Sequence, residues 1–183
     1  MPFSEESTIC AIATASGRGG VGIVRISGVK TKFISRNILG FKPKIRHAQT
    51  CKFLDHDGST IDTGIAIFFE GPSSYTGEDV LELHSHGSLP LLNQVVKRVL
   101  HLGAKLARPG EFTERSFLNG KMDLVQAEAV QDLIQSNSEE SALSAVRSLT
   151  GEFSEKINQI LSELISLRVF VEATIDFSDE EID

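Results

Sequence analysis

A stretch of 38 residues without proline, from Glu139 to Asp176, dominates the C-terminal third of the chain. From Phe153 onward apolar residues recur at steps of four, three, four, three and four, at Phe153, Ile157, Ile160, Leu164, Leu167 and Val171. This period places them along one side of an α-helix, and one helix over the whole stretch would be about 57 Å long. Because such a stripe is a packing surface, the helix needs a partner to cover it.

Charge divides the chain into two regions. Residues 1–118 hold 14 Lys+Arg and 11 Asp+Glu, whereas residues 119–183 hold 4 and 14, so the net charges are +3 and −10. The acidic region would repel a phosphate backbone and is a poor candidate for nucleic-acid contact, whereas the first region could hold a small anion. We therefore expect two domains, 1–119 and 120–183.

Short apolar runs bounded by turn residues predict a sheet in the first region. The runs are Thr8–Ala13, Val21–Ser27, Cys51–Leu54, Ile61–Phe69, Val80–His84 and Ala104–Ala107. The run Ser88–Leu102 has apolar residues at helical spacing, with Pro90 in its first turn and Gly103 just beyond its end, which predicts a helix. A helical turn is expected over Glu111–Leu118. The fold class is α+β: a small mixed sheet with packed helices, followed by a partial all-α domain.

The second region is predicted to be helical throughout. Asp123–Gln135 is rich in helix formers, and Asp123 with Gln126 has the spacing of a capping box. Ser136 and Glu139 repeat that spacing before the long stretch. The acidic segment Ser178–Asp183 contains no helix stop, which favours an N-terminal fragment of a longer protein.

The glycines of the first region do not predict a nucleotide-binding site. Gly17, Gly19 and Gly22 fit G-x-G-x-x-G, but a strand follows them where a dinucleotide site needs a helix N-terminus. The glycines more simply permit a tight connection or a close backbone approach. No G-x-x-x-x-G-K-[ST] occurs, so GTP or ATP hydrolysis is not expected of this chain.

The cysteines and histidines do not predict a metal site. Cys10 and Cys51 form neither a C-x-x-C pair nor a disulfide framework, and are predicted to be packing residues in a reducing cytosol. His84 and His86 would face the same side of a strand, but a third ligand is lacking nearby. No apolar run reaches the roughly 20 residues of a membrane helix, and residues 1–7 carry two acids and no base, unlike a signal peptide.

Three charges stand out. Arg25 and Glu82 interrupt apolar strands, and Lys121 follows Asn119-Gly120 where the regions join. Alternation alone makes Arg25 and Glu82 solvent-facing strand positions, and the alternative is a ligand cleft at the join.

Four segments resemble the bacterial tRNA-modification GTPases of the MnmE (TrmE) family. They are Gly17–Gly28 (GRGGVGIVRISG), Gly71–Leu83 (GPSSYTGEDVLEL), Ala107–Leu124 (ARPGEFTERSFLNGKMDL) and Phe177–Asp183 (FSDEEID). The resemblance runs in register from about Thr8 to the last residue. It implies a folate-binding and dimerisation domain over 1–119, and over 120–183 the first segment of a helical domain, ending before a GTPase insertion.

The resemblance also implies a function. Family members are cytoplasmic homodimers that, with the flavoprotein MnmG, add an aminomethyl-type group to C5 of the wobble uridine in tRNA. The carbon comes from a tetrahydrofolate derivative, 5-formyl- or 5,10-methylene-tetrahydrofolate. GTP, Mg and K would belong to the GTPase domain, and the family's C-terminal C-x-G-K motif is not in this sequence, so no catalytic residue is expected here.

The family's folate contacts correspond to Arg25, Glu82 and Lys121. A carboxylate can accept the amino group and the ring N–H of a pterin side by side, which suits Glu82. Arg25 and Lys121 could bind carbonyl oxygens or the anionic glutamate tail. Two alternatives remain. One is a purely structural oligomerisation domain with an incomplete folate site. The other is an independent folate-dependent methyltransferase, which is disfavoured because the sequence shows no evident acid or nucleophile on the substrate side.

Overall fold

The computed structural model describes residues 7–17 and 19–176. The chain divides into two compact units, the first ending at Lys121 and the second beginning at Met122. The predicted α+β class is confirmed, with six strands and six helices among the described residues. The acidic segment Ser178–Asp183 lies outside them.

A single six-stranded sheet forms the first unit, in the order β3-β4-β5-β2-β1-β6. Neighbouring strands are antiparallel except β1 and β6, which are parallel. Each of the six predicted strands is present, and Gly19 and Gly22 lie within β2, where a strand was predicted to follow the glycines. The strands are β1 (Ile9–Ile12), β2 (Gly19–Ser27), β3 (Gln49–Leu54), β4 (Thr60–Phe69), β5 (Val80–Gly87) and β6 (Lys105–Leu106).

Helices α1 (Thr31–Leu39) and α2 (Leu89–His101) contribute to the core with one face of the sheet. Val24 and Ile26 of β2 and Leu83 of β5 are fully buried in this core. The prediction of α2 is confirmed, including Pro90 in its first turn. Helix α1 was not predicted from the sequence. It ends at Gly40, which has the left-handed conformation with φ of 75°. The predicted helical turn is α3 (Glu111–Leu118).

The second unit contains α4 (Leu124–Gln135), α5 (Glu139–Leu149) and α6 (Glu152–Asp176). The capping box of Asp123 and Gln126 is confirmed. The second predicted capping pair is wrong: Ser138 and Ser141 cap α5, and Ser136 ends α4 in an extended conformation.

The prediction of one continuous helix over Glu139–Asp176 is also wrong. The chain turns at Thr150 and Gly151, and Gly151 has φ of 92°, which glycine adopts without the steric cost of a Cβ. The remaining helix α6 has 25 residues, about 37 Å, and none of them is buried among the described residues. Within the described part of the chain, no helix is long and apolar enough to cross a membrane.

Candidate functional site

Arg25 and Glu82 form a cross-strand ion pair at the centre of the sheet. They lie opposite each other in the register of β2 and β5. Arg25 Nε donates to Glu82 Oε1 at 2.9 Å, and Arg25 Nη2 lies 2.8 Å from the same oxygen. Because side chains alternate along a strand, both residues face away from the core that contains Val24 and Leu83. The side chains are 27% and 16% exposed, so the pair is partly shielded from water.

Two aromatic rings flank the guanidinium of Arg25. Its Cζ lies 5.2 Å from the ring centroid of Tyr75 and 5.8 Å from that of Phe112. Both distances are within the range of a cation–π contact. The Tyr75 hydroxyl is hydrogen-bonded to Thr113 Oγ1 at 2.9 Å, which ties the 71–79 loop to α3. Arg25 and Glu82 are therefore not ordinary solvent-facing strand positions.

Glu82 has a second partner on its own strand. Its Oε2 lies 3.3 Å from His84 Nε2, so both carboxylate oxygens have a protein partner. A carboxylate offers about four acceptor positions, and these contacts leave at least one of them open. The second histidine of this strand, His86, contacts a different carboxylate: its Nδ1 lies 2.9 Å from Asp62 Oδ1. The described residues contain no group of three or more metal-ligating side chains.

Lys121 lies at the end of the first unit, against the loop that carries Tyr75. Its side-chain stem runs beside Gly77, where an added Cβ would come within 3.4 Å of Lys121 Cγ and Cδ. Asn119 Nδ2 donates to Thr76 O at 2.7 Å and fixes the same loop. Within the described structure Lys121 has no hydrogen bond or ion pair with Arg25 or Glu82. The 71–79 loop thus contacts both Arg25 and Lys121, although the two cations do not touch.

A network of buried and partly buried polar groups holds this loop and α3 in place. Arg115 Nη1 lies 3.0 Å from Glu78 Oε1, and Arg115 Nη2 lies 3.0 Å from Glu111 Oε1. Ser27 Oγ of β2 donates to Glu78 Oε2 at 2.6 Å. Burial raises the pKa of the Glu111 carboxyl, but hydrogen bonds from the Arg108 amide and from Arg115 outweigh it, so the pKa is lowered. Glu111 is therefore held ionised beside Arg115.

Sequence reasoning missed Tyr75, Phe112, His84 as a Glu82 partner, and Arg115. A signal was available for two of them. Tyr75 is the only tyrosine of the chain, which has no tryptophan. Glu111 and Arg115 have the i, i+4 spacing of a helical ion pair.

The cysteines are packing residues, as predicted. Cys10 is fully buried in the core, and burial raises the pKa of its thiol to about 11. Burial also raises the pKa of Cys51, which is partly exposed. A thiol with a raised pKa is a weak nucleophile near neutral pH, so neither residue suits catalysis.

The fold defines an α+β domain followed in sequence by a helical unit. The protein-family model described as GTP-binding protein TrmE N-terminus matches residues 8–121. The family model of the MnmE helical domain matches residues 124–183. The chain belongs to the TrmE/MnmE family.

Curated relatives agree with this assignment. The chain is 57% identical over its whole length to the tRNA modification GTPase MnmE of Coxiella burnetii (strain Dugway 5J108-111). It is 54% identical over its whole length to that of Hydrogenovibrio crunogenus. Over 99% of its length it is 57% identical to that of Nitrosomonas eutropha. The chain spans about 40% of the length of these relatives.

Proposed function

We propose that the first unit binds a tetrahydrofolate derivative and serves as the folate module of a tRNA-modifying GTPase. The observation that carries this proposal is the Arg25–Glu82 pair, partly exposed and flanked by the rings of Tyr75 and Phe112. A pterin is a planar heteroaromatic ring with hydrogen-bond donors along one edge. A carboxylate near aromatic side chains suits a pterin. The carboxylate can accept hydrogen bonds from the pterin edge, while the aromatic side chains stack on the pterin face.

The proposed roles follow from the contacts of each residue. Glu82 holds the pterin edge through the acceptor positions that Arg25 and His84 leave open. Arg25 and His84 orient that carboxylate, since each already contacts one of its oxygens. Arg25 can also donate to a carbonyl oxygen of the ligand. Lys121 is exposed and has a flexible stem, which suits a point-charge contact with the anionic glutamate tail.

The complete protein is proposed to be a tRNA modification GTPase, as its relatives are named, and to act in the cytoplasm. GTP, Mg and K would be bound by the GTPase domain, because the printed sequence contains no P-loop motif. The protein would act as a homodimer with the flavoprotein MnmG on the wobble uridine of tRNA. The folate, 5-formyl- or 5,10-methylene-tetrahydrofolate, would supply the carbon that is transferred.

The folate proposal is tested by calorimetric titration with 5-formyltetrahydrofolate. Quenching of the fluorescence of Tyr75, the chain's only tyrosine, provides a second readout at the site itself. The variant Glu82→Gln keeps the shape of the side chain and removes its charge. Hydrogen bonds to a charged group contribute about 1.5–3 kcal/mol, so we expect affinity to fall roughly 10- to 100-fold.

The matched control is Glu70→Gln, which removes a carboxylate paired with Lys32 rather than with Arg25. Its folate affinity should equal that of the unchanged chain. Equal affinity in Glu82→Gln would contradict the pterin role. If the folded, dimeric chain does not bind the folate at all, the oligomerisation domain with an incomplete site is the better description.

A further inference from the structure

The segment from Lys30 to Lys52 has an unusual charge composition. It contains seven Lys and Arg residues and no Asp or Glu, in a chain whose net charge is −7. The seven cations are exposed, at Lys30, Lys32, Arg36, Lys42, Lys44, Arg46 and Lys52. Such a run is a solvated surface unless its charges converge, so their placement in the fold decides its meaning.

The fold brings part of this segment together on one surface. Helix α1 buries Ile34, Ile38 and Leu39 in the core and leaves Lys32 and Arg36 exposed. A shallow hollow is lined by Lys32, Arg36 and Lys42, together with Ile45, Phe68 and Glu70. Lys44 and Arg46 follow in the same loop, and the Arg46 amide is fixed by a hydrogen bond to Phe68 O at 2.7 Å. We call Lys32, Arg36, Lys42, Lys44 and Arg46 the basic surface.

Most of the basic surface forms no ion pair with the residues that the structure describes. Lys32 is paired with Glu70 at 2.8 Å and lies 3.4 Å from Asp79. Among the described residues, no carboxylate lies within salt-bridge distance of Arg36, Lys42, Lys44 or Arg46. Arg25 and Arg115 differ, because each has its own carboxylates. Lys42 does help to lower the pKa of Glu70, and Arg46 Nη2 donates to Ser73 O. The charges of these four cations are otherwise available to an external polyanion.

We propose that the basic surface binds the phosphate backbone of RNA. This inference rests on the proposed function, in which the RNA is tRNA. Two exposed rings, Phe33 and Phe41, lie in the same segment, at 55% and 37% exposure, and could stack on unpaired bases. A lipid surface fits less well: the apolar side of α1 is buried in the core and is not available for insertion into a bilayer. The acidic region, residues 119–183, would repel RNA.

The test is the binding of a labelled tRNA transcript to the chain, measured by fluorescence anisotropy between about 50 and 200 mM KCl. The double variant Arg36→Glu with Lys42→Glu reverses two charges of the basic surface. The control is Lys97→Glu with Lys105→Glu, which reverses two other exposed cations of the first unit and gives the same net charge. For a duplex, the slope of log K against log salt concentration becomes shallower by about 0.9 for each phosphate contact that is lost. The slope of the double variant should therefore be shallower by roughly two.

We expect the double variant to bind tRNA about tenfold more weakly than the unchanged chain. The control should bind like the unchanged chain. Equal losses in both would overturn the proposal, because net charge alone would then set the affinity. So would binding to vesicles of equal parts phosphatidylcholine and phosphatidylglycerol with no binding to tRNA. Folate affinity, measured on the same variants, should not change. Loss of RNA binding with folate binding retained therefore separates this surface from the folate site.

Discussion

The two units of the chain contain similar fractions of apolar residues but bury them to different extents. In the first unit Val24, Ile26 and Leu83 are fully buried, because α1 and α2 contribute to the same core as the sheet. In α6 of the second unit Leu164 and Leu167 are 56% and 59% exposed, although they lie on a regular apolar stripe. A periodic pattern thus predicts which side of an element can be buried. Burial itself requires a second layer, which α6 lacks among the described residues.

Ion pairs show the same contrast. Arg115 is 9% exposed and bridges Glu78 and Glu111, whose side chains are 20% and 8% exposed. Arg168 of α6 also pairs with a carboxylate four residues away, but it is 76% exposed. Water screens the exposed Arg168 pair much more than the shielded Arg115 pair. The two i, i+4 pairs should therefore differ in their effect on the free energy of unfolding.

The largest expected effect is therefore that of Arg115→Leu. It leaves two shielded carboxylates without their cation and should lower the free energy of unfolding by about 3–5 kcal/mol. Arg168→Leu should change it by less than about 0.5 kcal/mol. Urea unfolding followed by Tyr75 fluorescence measures the first unit, and circular dichroism measures the helices. Equal stability of the two variants would remove the distinction between the pairs.

Truncation of one leucine in each unit gives the next largest difference. Leu83→Ala opens a cavity in the central strand β5 and should lower the free energy of unfolding by roughly 2–5 kcal/mol. Leu164→Ala removes an exposed side chain and should change it by less than about 0.5 kcal/mol. A cost for Leu164→Ala near that for Leu83→Ala would show that α6 is covered in solution. Sedimentation of the same samples would then identify self-association as the source.

The sequence predicted the sheet well because its strands alternate or carry short branched runs, which is a local pattern. It missed α1, whose nine residues are too few for a clear period. It missed the break at Gly151 because the apolar period runs through it: Leu149 follows Val146 by three residues, and Phe153 follows Leu149 by four. One glycine is tolerated in a helix pattern, so the turn was not evident.

The candidate site was only partly predictable for a related reason. Arg25 and Glu82 were noticeable as charges within apolar strands. Their pairing depends on the register of two strands 57 residues apart, which no single strand encodes. Tyr75 and Phe112 come from a loop and a helix, where no alternation marks them. The resemblance to a family supplied Arg25, Glu82 and Lys121 as a set; their role in folate binding stays a prediction.

Acid should lower the free energy of unfolding of the first unit through Asp62. This effect is smaller than those of the Arg115 and Leu83 substitutions. Burial raises the pKa of this carboxyl, but hydrogen bonds from Ser85 and from the His86 amide and ring outweigh it, so the pKa falls from 3.8 to about 2. Because the folded pKa lies below the ordinary value, the stabilisation is complete above about pH 3.8 and is lost as the pH falls through 2. It amounts to about 2 kcal/mol.

The measurement is urea unfolding at pH 5 and pH 2.5, with Asp62→Asn beside the unchanged chain. The variant should be less stable at pH 5, and the gap should narrow at pH 2.5, where other carboxylates weaken both proteins alike. A constant gap between the two pH values would mean that ionisation of Asp62 does not contribute.

The smallest expected effect lies in the second unit and concerns the start of α4. Asp123 accepts a hydrogen bond from the Gln126 amide at 2.8 Å, and the Gln126 side chain accepts one from the Asp123 amide at 2.9 Å. Asp123→Ala removes the acceptor and should lower helix stability by about 1 kcal/mol, whereas Asp123→Asn keeps an acceptor and should change it little. Hydrogen exchange of the amides in the first turn of α4 measures both variants. A similar loss in the two would assign the effect to charge at the helix N-terminus. Recovery in Asp123→Asn would show that a local hydrogen bond, rather than burial, holds this part of the second unit.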